Sequence, residues 1–390
     1  MASRPISKKV VQCIGSAHFE PHTRVKSSEA RTAALAALEK NDLAAAIRDW
    51  FQLPANDSYT YHAMTSVTLA QVQHVVSLGA ANNLHAWYAD PETKEPLQPP
   101  PQADIEAYIT IFQANSATAS ALKGFASNAK KNSLRASVAT HITEKRYIHP
   151  AAPSLTISKN KSPPPNPYFD FWAWSCRNLE WCGPCAASEA RPQSHHVLPI
   201  FMHHFGCAVP SYESLEMLRI LAAGRTVADV GSGNGYWSFM LRQHGVSVVP
   251  VDNQQSEWRA NWVNDTVIAD GVKWLGRKEN AGGKDMVLLL VYPVVGGGLA
   301  GGVEGGFTRG LMAAYQGDTV AVVGTQNRNG YTGFKDMIMN EYMEKEQKDW
   351  TKVVQIPLPS FAGKDEALFV YQRGDRAPKE SADLGVSAKT

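Results

Sequence analysis

The stretch Val227-Ala228-Asp229-Val230-Gly231-Ser232-Gly233-Asn234-Gly235-Tyr236-Trp237 holds the residues whose spacing says most about chemistry. An apolar run gives way to glycines at every second position, and helix-forming text follows, so a strand, a tight turn and a helix start succeed one another. Gly231 and Gly233 permit a turn close enough for a ligand to meet the backbone, with Ser232 between them, and Gly235 lets the helix pack against the strand. Asp229 sits at the strand end, where a carboxylate attracts a cationic ligand and repels a pyrophosphate. Asp252 ends the next apolar run, Val248 to Val251, with Asn253 after it. In a parallel sheet that aspartate arrives beside the first turn and can accept hydrogen bonds from both hydroxyls of a ribose. Asp270, in Ala269-Asp270-Gly271 after a third strand, either reads an adenine edge or occupies a solvated turn before glycine. The sign of the charge favours the sulfonium nucleoside S-adenosyl-L-methionine over a dinucleotide, although Asp252 alone would serve NAD equally well.

These residues resemble the class I methyltransferase superfamily over roughly residues 205–373. The segment Phe205-Gly206-Cys207-Ala208-Val209-Pro210-Ser211-Tyr212-Glu213-Ser214-Leu215, followed by the glycine turn, is similar to a narrower methyltransferase-like group of microbial and eukaryotic proteins. Leu288 to Pro293, Tyr315 to Val320 and Phe369 to Arg373 follow in the order of that group. The resemblance implies a Rossmann-like methyltransferase fold that binds S-adenosyl-L-methionine, and says little of the acceptor. One departure bears on the acceptor: Tyr292-Pro293 is followed by Val294, not by a second proline, so an amino-group site of the Asn-Pro-Pro-Tyr type is not implied.

Methyl transfer from a sulfonium is a direct displacement, so such a protein mainly aligns a nucleophile and excludes water; a base is needed when the acceptor carries a proton. Tyr292, at the end of the fourth strand, falls where ligands bind in open α/β sheets, or simply packs there. The glycine loop Gly296 to Gly306 behind it reads as a lid or as a surface insertion. In Ser194 to His204, a helix running through Pro199 would put His196 and His203 on one face, two turns apart. His204 and His196 are the preferred candidates for a base, against a role as satisfied core or surface histidines.

The elements that must position these groups follow from periodicity. Beyond Ser211, helices at 212–223 and 236–244 alternate with strands at 226–230, 246–251, 266–269, 285–292, 319–324, 350–356 and 367–372. That is an α/β fold with a doubly wound, mostly parallel seven-stranded sheet. Residues 1–150 form a helical unit, with helices expected at 27–52, 67–78, 104–112 and 116–144. Residues 151–210 are a proline-containing linker and a Cys-, His- and aromatic-rich segment leading into the cofactor site; 211–375 form the cofactor-binding domain and 376–390 a disordered tail.

The 390 residues, 44% hydrophobic, suffice for two units with a sizeable core. With 38 Lys plus Arg against 36 Asp plus Glu, the charge of +2 draws neither nucleic acid nor an anionic membrane. The uncharged run Met286 to Val303 is half glycine in its second part and reads as a strand and loop, not a membrane span. With no secretory leader in the polar N-terminus, the expected compartment is the cytoplasm. Trp181-Cys182-Gly183-Pro184-Cys185 is letter for letter the thioredoxin active-site motif, but the sheet such a domain needs is not around it. Cys176, Cys182, Cys185, Cys207 and the histidine pairs fit the spacing of no common zinc module, so no metal is assigned. The expectation is a methyltransferase acting on a small-molecule acceptor, the helical unit covering the acceptor pocket or forming a homodimer. The alternatives are an S-adenosyl-L-methionine-binding protein with other chemistry or a scaffold role, and a NAD-dependent oxidoreductase.

Overall fold

The computed structural model describes residues 18–379 apart from 64–65, 83, 116, 153–154, 156, 190–193, 294–304, 328–333 and 335–336. The helices α1 (Pro21–Lys26), α2 (Ser28–Glu39) and α3 (Leu43–Phe51) open the chain, followed by a hairpin of β1 (Thr60–His62) and β2 (Ser66–Thr68). Then come α4 (Leu69–Leu78), α5 (Gln102–Ile111), α6 (Thr118–Ser127), α7 (Leu134–Lys145), β3 (Tyr147–Ile148), α8 (Pro167–Asn178), α9 (Ala186–Glu189) and α10 (Leu198–Phe205). Two of the helices expected from periodicity are each divided in two. Asn41 takes a left-handed conformation and Asp42 accepts from the Ala45 N–H, ending α2 and capping α3; α6 ends at Ser127 with Asn128 as its C-cap, and after the left-handed Asn132 the Ser133 side chain accepts the Ala136 N–H and caps α7.

The remainder alternates as a doubly wound sheet requires: α11 (Tyr212–Ala222), β4 (Thr226–Val230), α12 (Tyr236–Gln243), β5 (Val248–Asp252), β6 (Val267–Ile268), α13 (Gly271–Leu275), β7 (Met286–Val291), α14 (Gly306–Ala314), β8 (Thr319–Thr325), α15 (Met339–Glu346), β9 (Thr351–Pro357) and β10 (Glu366–Gln372). The sheet order is β3-β9-β10-β8-β7-β4-β5-β6. The strands from β8 to β6 pair in parallel, and β10 runs antiparallel between β8 and β9. The seven expected strands are therefore present, and an eighth, β3, pairs with β9 through Tyr147 and Ile148 at the edge.

Alternation along each strand divides two cores. Val227, Leu289, Ala321, Val323, Leu368 and Val370 face one side, and Ala228, Leu288, Leu290, Val320, Val322 and Phe369 the other. The first core is continuous with the N-terminal helices, since Leu43, Ile47, Phe51, Tyr108, Trp172 and Phe205 belong to it. A bidentate contact of Arg146 with Glu213, both largely buried, fixes the end of α7 to α11.

After β4 the chain steps outward through β5 and β6, then returns to place β7 on the other side of β4. The crevice at the carboxyl ends of β4 and β7 is thus the topological switch point, where open α/β sheets bind ligands. Among the described residues, no helix is long and apolar enough to cross a membrane. The loop 296–306 lies outside the described residues up to 304, and its last two glycines cap and begin α14. At the carboxyl end, Gly374–Arg376 form a short 3-10 turn, and residues 380–390 of the expected tail lie outside the described part.

Candidate functional site at the switch point

The turn after β4 is tied to β5 by the backbone: the Gly231 and Ser232 N–H groups donate to the Val251 carbonyl at 2.8 and 3.2 Å. Gly233 and Gly235 have φ of 57° and 79°. A Cβ on Gly233 would come within 2.9 Å of the Trp258 ring, and one on Gly235 within 2.3 Å of Val263 Cγ2. Glycine is required at both positions on two counts, left-handed backbone and close approach. The neighbour that demands Gly235 belongs to the segment after β5, not to the strand that the sequence suggested.

Asp252 does reach the first turn, and it holds the turn itself. Its Oδ2 accepts the Gly233 N–H at 2.9 Å and its Oδ1 accepts the Gln254 N–H at 2.6 Å. Burial raises its pKa, and the two N–H donors oppose that rise. Each carboxylate oxygen keeps a free lone pair with which to take a hydroxyl. Asn253 is exposed, its side chain accepting from the Gln255 N–H.

Asp229 is fully buried, deeper than a strand-end residue open to ligand. Its Oδ2 accepts from Ser238 Oγ of α12 at 2.7 Å, while Oδ1 has no partner. Burial pushes its carboxyl up to about 7, against the Ser238 hydrogen bond. Ser232 Oγ, Asn234 Nδ2 and Trp258 Nε1, all from the turn or the segment packed on it, are likewise shielded from water and unpartnered. One acceptor and three donors thus sit around the turn with hydrogen-bonding capacity unspent, which buried polar groups rarely leave idle. Asp270 is exposed and caps α13, accepting the Lys273 N–H at 2.9 Å, so the turn role weighed from the sequence is the one its side chain performs.

At the end of the strand next to β4, Tyr292 leaves β7 with φ of 49°, its N–H donating to the Val323 carbonyl. Its hydroxyl donates to Glu366 Oε1 at 3.0 Å, in a setting where both residues are buried. Glu366 was not singled out from the sequence, because Lys364-Asp365-Glu366 looks like a solvated charged turn. Pairing with β8 draws that turn inward: Glu366 faces Thr325 in the ladder, and Asp365 is held by His141, Lys145 and Gln326.

The histidines go elsewhere. Helix α10 begins at Leu198, with Pro199 in its first turn, so His196 precedes the helix and does not share a face with His203. His204 lies against Phe51 with ring centroids 4.0 Å apart, and its Nε2 meets the Tyr61 hydroxyl at 3.0 Å. Burial first, then the Arg259 charge, holds it neutral. His203 bridges the Tyr59 hydroxyl and the His62 carbonyl. His196 stacks on His85 with its proton affinity lowered, chiefly by burial, to a pKa of about 4. His203 and His204 thus fasten α10 to the β1–β2 hairpin, and neither His204 nor His196 is brought to Tyr292 by a contact among the described residues.

The Cys182-Gly183-Pro184-Cys185 motif is interior wall. Both thiols are buried, and burial pushes Cys182 up to about 12 and raises Cys185, the reverse of a reactive cysteine. Tyr88 binds the Cys182 N–H and the Gly183 carbonyl. Among the described residues a grouping of metal-ligand type occurs at His141, Glu189 and Asp365, where the Lys145 ammonium lies 2.8 Å from Asp365 and supplies the positive charge.

No family model matches the chain, and neither does any curated protein. Part of the chain is similar to solved S-adenosyl-L-methionine-dependent methyltransferases. One is the magnesium protoporphyrin IX methyltransferase of Synechocystis, solved with bound S-adenosylmethionine (13% identity, 41% of this chain and 77% of that one, TM-score 0.29). Another is the 1,6-didemethyltoxoflavin N1-methyltransferase of Burkholderia thailandensis, solved with its substrate and S-adenosylhomocysteine (15% identity, 40% and 78%, TM-score 0.28). A protein of the NADB-Rossmann superfamily from Streptococcus agalactiae overlaps to a similar degree (14% identity, 42% and 69%, TM-score 0.26). Overlaps of this size say nothing of function, which has to be read from the residues at the switch point.

Proposed function

We propose that the protein is an S-adenosyl-L-methionine-dependent methyltransferase acting on a small-molecule acceptor. The observation that carries this reading is the set of unspent polar groups around the glycine turn. Asp229 Oδ1 is a buried acceptor suited to an ammonium, and Ser232 Oγ, Asn234 Nδ2 and Trp258 Nε1 are donors suited to a carboxylate. An amino acid group matches that set; a pyrophosphate would meet the Asp229 carboxylate with like charge. Asp252, already holding Gly233, presents its remaining lone pairs at the place of a ribose.

When bound, the cofactor supplies an electrophilic methyl group on a sulfonium. The chain's part is to orient and to exclude water. Gly231 to Gly235 give close backbone access, the Trp258 ring walls the turn, and Tyr292 stands at the end of the neighbouring strand. The near balance of charge, +2 net over the whole chain, supports a small acceptor over a nucleic acid.

A thermal-shift titration tests the reading. S-adenosylhomocysteine at a hundredfold excess over its dissociation constant is expected to stabilise the protein by about 2.7 kcal/mol, a rise of a few degrees in Tm. Stabilisation by NAD with no response to S-adenosylhomocysteine would replace it with a nicotinamide oxidoreductase.

A further inference from the structure

Between β5 and β6 the residues from Asn253 to Thr266 enter neither helix nor strand, so their bonds to neighbouring elements set their course. One side of this segment lies on the glycine turn. The Trp258 ring stands 2.9 Å from where a Cβ on Gly233 would fall, Val263 crowds Gly235, and the Trp262 N–H donates to the Asn234 carbonyl at 2.8 Å. The other side lies on α10 and on the residues leading into β1. The Arg259 N–H donates to the His203 carbonyl at 2.8 Å, and the Trp262 indole N–H to the His204 carbonyl at 2.7 Å. The Arg259 side chain is buried; its Nη2 donates to Asp57 Oδ1 at 2.8 Å, and its guanidinium lies 4.4 Å from the centre of the Tyr59 ring. The Tyr59 hydroxyl in turn meets His203 Nδ1 at 3.0 Å.

Trp258 and Arg259 are adjacent in sequence, yet one packs on the turn and the other on Asp57, 202 positions earlier. We propose that Arg259 is a positioning residue for the cofactor, and that Asp57 and Tyr59, acting through it, hold Trp258 against Gly233. The hairpin end of the N-terminal unit thereby completes the S-adenosyl-L-methionine site from outside it. A guanidinium suits this post because it donates in its plane to a carboxylate while its face lies on a phenol ring; an ammonium lacks that planar geometry. The pair is largely shielded from water, Arg259 with 4% and Asp57 with 10% of the side chain exposed, so it escapes the screening that weakens surface pairs.

Such coupling is reciprocal. Whatever the hairpin adds to cofactor affinity, bound cofactor returns as stability of the hairpin. The proposal rests on the methyltransferase reading, and the two are told apart by the protein that fails: that reading is judged on the wild type, and the positioning role on how the variants differ from it.

The test is a double-substitution cycle on the full chain, read as the dissociation constant of S-adenosylhomocysteine. Asp57→Asn is expected to bind about 5- to 20-fold more weakly than the wild type. Trp258→Leu weakens binding too, and adding Asp57→Asn to it is expected to change the constant less than about twofold, because Asp57 acts through the ring already removed. A merely structural Asp57 would cost the same in both backgrounds. Should Asp57→Asn not fold, Tyr59→Leu, which removes the ring under the guanidinium and leaves the carboxylate, takes its place in the cycle. Saturating S-adenosylhomocysteine is also expected to slow amide exchange from Tyr59 to His62 in the wild type and to leave it unchanged in Trp258→Leu. Variants that bind as the wild type does, a loss equally large with and without Trp258, or exchange at the hairpin that ignores the ligand would overturn the positioning role. A wild type that does not bind S-adenosylhomocysteine would remove the methyltransferase reading, and this role with it.

Discussion

Asp252 Oδ2 accepts the Gly233 N–H at 2.9 Å, so the carboxylate at the end of β5 fastens the glycine turn that follows β4. The residue that the proposed reading assigns to a ribose is thus the one that shapes the loop. On that reading, variants of the turn should report on both architecture and binding.

Gly235→Ala is the most disruptive small change available in this loop. Its φ of 79° disfavours any side chain, and the added methyl would fall 2.3 Å from Val263 Cγ2. Left-handed strain and overpacking together should cost about 2–4 kcal/mol. Urea unfolding should show a lowered midpoint with an unchanged slope; a variant as stable as wild type would mean that the turn is not held as described.

Affinity for S-adenosylhomocysteine should depend on pH through Asp229. Its carboxyl is raised to about 7 by burial, and only the ionised form attracts an ammonium. Affinity should be level above pH 7 and fall by up to about tenfold per unit below it. The stability effect has the opposite sense. The folded state holds this proton more tightly than the unfolded chain, so the favourable contribution present at low pH is lost as pH rises through about 7. Asp229→Asn should therefore raise Tm at pH 8 while weakening binding and removing its pH dependence. Binding that is indifferent to pH in the wild type would exclude Asp229 from the site.

Thiol reagents should find the Trp181 to Cys185 motif inert. With Cys182 pushed up to about 12, roughly one molecule in ten thousand carries the thiolate at pH 8. Labelling should be slow in the native protein and fast only in denaturant. A rapidly labelled pair, or a disulfide that forms readily in glutathione buffer, would return the motif to redox chemistry.

The sheet was legible in the sequence because its strands are buried on both faces and flanked by turn residues; β4 spans Thr226–Val230 as read, and β7 and β8 differ from expectation only at their ends. Helix breaks at Asn41 and between Asn128 and Ser133 were hidden because the periodicity continues across them while cap residues and left-handed asparagines interrupt the hydrogen bonding. That Asp252 would reach the glycine turn was legible from its place at a strand end, a local signal. The contact of Glu366 with Tyr292 was not, since the burial of Glu366 comes from strand pairing, which no local pattern encodes. Conversely, His204 looked chemical because it stands beside other histidines, yet its partners Phe51 and Tyr61 come from more than a hundred residues earlier.

Isothermal calorimetry of S-adenosylhomocysteine binding to the wild type and to Asp252→Ala goes to the centre of the account. The wild type should bind, and the variant should bind about 10- to 100-fold more weakly, having lost charge-assisted hydrogen bonds to the ribose and the tie to Gly233. Equal dissociation constants in the two proteins, or no heat of binding in either, would contradict a nucleoside site at this turn.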